Sequence, residues 1–141
     1  MNKPFIFAFV LVLLATPPAA AYAVEASSGR FLHEVVASSP AHQKSLRELL
    51  RGARSLPPWV RNMVSTPRYV AGALRALSVD GKPMELFAAC LPRHCDDSRV
   101  RVLFTPDGKA VGMRVEDGKL GIVVFGDVTD AVRNALSTPG L

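Results

Sequence analysis

The chain has 141 residues, 49% of them apolar, with 17 Lys and Arg against 12 Asp and Glu. That length supports a single domain with a core of its own. The formal charge of +5 reads as solubility and does not argue for nucleic acid as a partner.

Met1-Asn2-Lys3 is a short basic head, Phe5 to Ala15 is an unbroken apolar run, and Ala21-Tyr22-Ala23 has the A-x-A form of a cleavage site. This is the plan of a secretory signal peptide. A membrane-spanning helix needs roughly 20 apolar residues, and here Pro17-Pro18 follows too soon. No Cys near the cleavage site suggests a lipid anchor. The expectation is a leader over 1–23, cleavage after Ala23, and a periplasmic mature domain over 24–141 with no membrane attachment. Without the first 23 residues the chain loses Lys3, and its formal charge becomes +4.

Two cysteines, Cys90 and Cys95, remain in that mature part. An even count, close spacing and an oxidising compartment predict one disulfide. So short a loop contributes only ~2 kcal/mol, so the bridge is expected to shape the loop rather than hold the domain together.

Glu25 to Arg30 is polar and is expected to fray. Phe31, Leu32, Val35 and Val36 recur at helical spacing and predict a short first helix. Ser39-Pro40 reads as an N-cap followed by Pro at the first helical position, with Leu46, Leu49, Leu50 and Ala53 along one face. A second helix is therefore expected over 40–51. Leu56-Pro57-Pro58-Trp59-Val60 carries the only Trp. Its prolines exclude a regular helix or central strand across this point, leaving a turn whose Trp and Val dock into the core.

From Gly72 the rhythm changes. Asp80-Gly81, Asp107-Gly108 and Asp117-Gly118 punctuate apolar runs, and Asp-Gly marks tight hairpins. Between them Val100, Val102 and Phe104 alternate, then Val111, Met113 and Val115, then Leu120, Ile122 and Val124. With Gly72–Val79 and Lys82–Ala89 this predicts a five-stranded antiparallel meander with one apolar face. A C-terminal helix capped by Asp127, with Val128, Ala131, Val132, Ala135 and Leu136 on one side, should pack on that face. The fold class is α+β.

The chain offers little catalytic chemistry. No H-E-x-x-H, G-x-S-x-G or P-loop pattern occurs, and the cysteines are not C-x-x-C. Cys90, His94 and Cys95 lack a fourth ligand for structural zinc, and adjacent His-Cys is poor geometry for it. Asp96 and Asp97, read as the start of a strand, would point to opposite faces and cannot act as a glycosidase pair. His33 and His42 read as ordinary helix residues. No enzyme, cofactor or metal is expected.

The distinctive feature is Cys90-Leu91-Pro92-Arg93-His94-Cys95, stiffened by Pro92 and the expected bridge, with two potential cations near its tip. A rigid loop loses little entropy on docking. Together with Leu56-Pro57-Pro58-Trp59-Val60, this hexapeptide resembles the Ivy family, the bacterial inhibitors of vertebrate lysozyme. The family's loop reads roughly C-K-P-H-D-C and its upstream segment Leu-Pro-x-Trp-Val. The likeness extends to leader, size and α+β order.

The resemblance implies a periplasmic inhibitor whose loop enters a lysozyme's cleft, where a cation meets the catalytic carboxyl groups. In this chain Arg93 stands at the family's His position, His94 follows it, and Leu91 replaces the Lys. The target implied is a c-type lysozyme. The domain's basic charge also admits a less basic target with a carboxyl in a sugar cleft, such as a lytic transglycosylase. The other reading is an envelope interaction module without inhibitory activity, whose open sheet edge or apolar patches would carry partner contacts, a homodimer among them.

Overall fold

The computed structural model describes residues 26–109 and 111–140. The leader and its cleavage site lie outside them. Among the described residues no helix is long and apolar enough to cross a membrane.

The chain runs β1 (Ala26–Phe31), α1 (Leu32–Ser38), α2 (Pro40–Gly52), α3 (Pro58–Arg61), β2 (Val70–Ala71), β3 (Ala73–Val79), β4 (Lys82–Cys90), β5 (Ser98–Phe104), β6 (Val111–Asp117), β7 (Gly121–Gly126) and α4 (Asp130–Leu136). The strands form one sheet in the order β1-β3-β4-β5-β6-β7, with β2 beside β4 and every pairing antiparallel. The α+β class holds, and β3 to β7 are the expected meander. The expected count of five does not hold, because among the described residues the sheet has seven strands.

The two additional strands have plain causes. The segment expected to fray is β1, which pairs with β3 through an irregularity between Ser27 and Phe31. Its polar composition carries no apolar alternation, so only backbone pairing at an edge reveals it. The expected strand from Gly72 is longer and broken. Val70–Ala71 pairs with Cys90 and Ala89, the Gly72 amide reaches the Ala88 carbonyl, and β3 resumes at Ala73.

Helices α1 and α2 form where their apolar spacing places them, with Pro40 at the start of α2. Instead of a plain turn, Pro58 opens the single-turn α3, Pro57 serving as its N-cap. Proline is tolerated there because the first helical N–H has no intrahelical partner anyway. Val60 is fully buried, and Trp59 packs against the core from a partly exposed position.

Both sheet faces are covered, which the single-faced expectation missed. One face gives Phe87, Ala89, Val100, Val102, Phe104, Met113 and Val115 to a core shared with Leu32, Val35, Val36, Leu46, Leu50 and Val60 of the N-terminal helices. The other face gives Leu86 and Leu103 to a smaller core closed by Leu136, with Val128, Ala131, Val132 and Ala135 around it. So α4 does not join the N-terminal helices; it lies on the opposite side. Its cap is Thr129, whose hydroxyl accepts from the Val132 amide, and not Asp127.

Candidate functional site

The disulfide loop leaves the sheet at the end of β4. Cys90 is fully buried and bridged to Cys95, with 4.9 Å between their Cα atoms. The loop is hydrogen-bonded internally: the His94 amide donates to the Leu91 carbonyl, and the amides of Asp97 and Ser98 both donate to the His94 carbonyl. The Leu91 amide donates to the Ser98 carbonyl at 3.0 Å, which closes the base. Covalent bridge, Pro92 and these bonds together leave the backbone few alternatives.

Arg93 adopts φ 68°, a left-handed conformation that costs a residue with a Cβ roughly 1–2 kcal/mol. Such a conformation persists only where the surrounding structure imposes it. Pro92, Arg93 and His94 are exposed, and among the described residues no ion pair is formed by Arg93. His94 faces Asp97. Its Nδ1 lies 3.7 Å from Asp97 Oδ1, and its ring lines a groove beside the loop.

That groove, of about 660 Å³, is bounded by Pro57, Pro58 and Trp59 on one side, by Leu91 and His94 on another, and by Lys119 and Leu120 of the β6–β7 turn on the third. The two motifs singled out from the sequence therefore meet. Trp59 Nε1 donates to Ser98 Oγ at 3.0 Å, and Ser98 Oγ donates onward to Asp117 Oδ2 at 3.4 Å. Asp117 Oδ1 accepts from the amides of Lys119 at 2.9 Å and Leu120 at 3.1 Å. The Lys119 amide, joined by those of Leu120 and the Ser98 hydroxyl, holds the Asp117 carboxyl below the usual aspartate range. One carboxylate thus pins the turn that forms the groove's third wall.

Ser98, Asp117, Lys119 and Leu120 were not foreseen as site residues. The Asp-Gly signal at 117–118 marked a turn, and nothing local says what the turn faces. Asp96 and Asp97 sit in a turn ahead of β5, not on the strand, and both are exposed. His42 is nearly fully buried: Ser39 Oγ lies 2.6 Å from its Nδ1, and Glu85 Oε2 lies 3.4 Å from its Nε2. This cluster braces the junction of α1 and α2 against β4, away from the loop. Among the described residues no group of three or more His, Cys, Asp and Glu is placed to hold a metal ion.

A scan against known protein families and a search of curated proteins each return no match to this chain.

Proposed function

We propose that this protein is a periplasmic inhibitor of lysozyme-type muramidases that inserts the loop Cys90–Cys95 into the target's active-site cleft. The observation that carries this reading is the presentation of Arg93: an exposed guanidinium on a covalently closed loop, in a conformation the loop imposes, with no ion pair of its own among the described residues. Such a cleft presents two carboxyl groups, one ionised and one held neutral by an apolar pocket. A planar guanidinium can engage both through charge-assisted hydrogen bonds, each worth ~1.5–3 kcal/mol. Because the loop is already ordered, docking loses little conformational entropy.

Arg93 is the carboxylate ligand in this reading, and His94 a wall of the neighbouring groove. The resemblance to the Ivy family supports the same reading, since Leu56–Val60 and Cys90–Cys95 resemble that family's two motifs, the second with Arg93 at the place of its His, and border one groove here. The target is a c-type lysozyme or, given the basic charge, a lytic transglycosylase.

The test is inhibition of cell-wall lysis by a c-type lysozyme and by a lytic transglycosylase, with the oxidised protein and after reduction. Inhibition by the oxidised form that disappears on reduction supports loop insertion. Arg93→Ala should abolish it and His94→Ala should leave most of it, with little dependence on pH from the inhibitor's side. Equal potency of both variants and wild type would sink the mechanism.

A further inference from the structure

The sheet face beneath α4 continues past that helix into a charged region that the loop does not use. Along β5 and β6, Arg101 stands opposite Arg114, and Arg99 opposite Glu116. Glu116 receives all three arginines: Arg99 Nη2 at 2.8 Å, Arg101 Nη1 at 2.8 Å and Arg114 Nη1 at 3.2 Å. The side chains of Arg101, Arg114 and Glu116 retain 5%, 15% and 15% of their exposure, and that of Arg99 retains 38%.

Among the described residues three guanidinium groups share one carboxylate, which leaves two positive charges in excess there, largely withdrawn from water. Exposed cations such as Arg93 cost little because solvent screens them. Here burial removes that screening, and two buried donors, Arg99 Nε and Arg101 Nε, have no acceptor among the described residues. Arg101 Nη2 donates to the Gly140 carbonyl at 3.5 Å. Burial, reinforced by repulsion from Arg99 and Arg114, pulls Arg101 below the usual guanidinium range despite its bond to Glu116. Buried charge of one sign is expensive unless something neutralises it.

We propose that Arg99, Arg101 and Arg114 form an oxyanion site that takes a phosphate monoester group. The excess of two charges matches a phosphate that is close to dianionic at neutral pH. Arginine's planar fork suits phosphate oxygens better than lysine's point charge. Glu116 spaces the three forks and keeps them from dispersing. The open side is marked by Arg99 and by Ile122, which is 62% exposed and stands across from Glu116. Cys90 pairs with Arg99 across β4 and β5, so an occupied site would brace the strands from which the disulfide loop springs. This inference does not depend on the muramidase reading.

The test is calorimetric titration of the oxidised protein with inorganic phosphate, against chloride at matched ionic strength. Saturable binding is expected for phosphate and not for chloride. Arg99→Gln and Arg114→Gln should each weaken it about tenfold or more, the loss of one charge-assisted contact. Lys82→Gln, a distant exposed cation, should bind like wild type. Arg99→Lys keeps the charge and removes the fork, so it tests the geometry even if a neutral variant folds poorly, and it too should bind more weakly. Glucose 6-phosphate, and phosphatidylcholine vesicles with or without phosphatidic acid, then separate a soluble ester from a lipid headgroup; binding of either supports the site. Absence of saturable binding to all three phosphates, or equal affinity in wild type, Arg99→Gln and Arg99→Lys, overturns it.

Discussion

Trp59 and Ser98, thirty-nine positions apart, are joined by a hydrogen bond of 3.0 Å from the indole Nε1 to the hydroxyl oxygen. Ser98 is 5% exposed and opens β5, immediately after the disulfide loop. The bond therefore ties the proline-rich turn to the base of the loop and sets the width of the groove between them.

Removing the acceptor leaves the indole N–H without its partner in a half-buried place. Ser98→Ala should cost about 1–2 kcal/mol, read as a lower urea midpoint at unchanged slope. It should also speed hydrogen exchange at the Leu91 and His94 amides, because the loop base loses its outer tie. Unchanged exchange there would mean that the disulfide alone orders the loop.

Arg93 tests whether loop strain serves presentation. Arg93→Gly relieves the left-handed conformation and should raise stability by up to ~1 kcal/mol. The same substitution removes the proposed carboxylate ligand, so inhibition should vanish while the thermal midpoint holds or rises. Loss of both stability and inhibition would instead make Arg93 a packing residue.

Gly108 has φ 71°, and a Cβ there would lie 2.3 Å from His42 Nδ1. His42 cannot retreat, being 3% exposed and packed edge-on to Phe104 with ring centroids 4.8 Å apart. Gly108→Ala combines backbone strain with overpacking and should cost about 2–4 kcal/mol. Ser45 Oγ, which donates to the Gly108 carbonyl at 2.6 Å, would lose its register as well. A chemical-denaturation midpoint within error of wild type would contradict this contact.

Acid should weaken the fold through Glu116. Burial alone would raise its pKa, but the hydrogen bond from Arg99, with Arg114 and Arg101, outweighs burial and holds the carboxyl below its ordinary value of 4.5. A carboxyl depressed in the folded state binds fewer protons there than in the unfolded chain. Its contribution is therefore complete above about pH 4.5 and is lost as pH falls through the folded value. Glu116→Gln should flatten this part of the stability profile. At neutral pH it should cost about 2–3 kcal/mol, less than the ~3–5 of a fully buried pair, because three arginines lose their common acceptor. An acid limb identical in wild type and variant would assign the loss to other carboxylates.

Much of the local structure is legible from residues alone, and the legible parts share a cause. Apolar spacing places α1, α2 and the meander strands β3 to β7, because each period must turn one side to a core. Asp80 and Gly81, with φ 51° and 74°, make the two-residue turn their types demand, and Val79 pairs with Lys82. The cysteine pair likewise needs only its spacing and an oxidising setting.

What resisted prediction was decided by register and by contacts across long separations. Asp117-Gly118 suggested a two-residue turn with Leu120, Ile122 and Val124 on the inner face. The turn instead spans Gly118 to Leu120, Asp117 pairs with Gly121, and Val123 and Phe125 stand opposite Val115 and Met113. An odd shift of register exchanges the two faces of a strand, which is why Ile122 is exposed. The sequence by itself determined α1, α2, α4, the meander and a closed, cation-bearing loop, since these follow from near-neighbour geometry. Tertiary structure decided that α4 covers the second face, that Trp59 meets Ser98, and that three arginines converge on Glu116. Alternation along a strand states that two faces exist; only the packed sheet determines what each one meets.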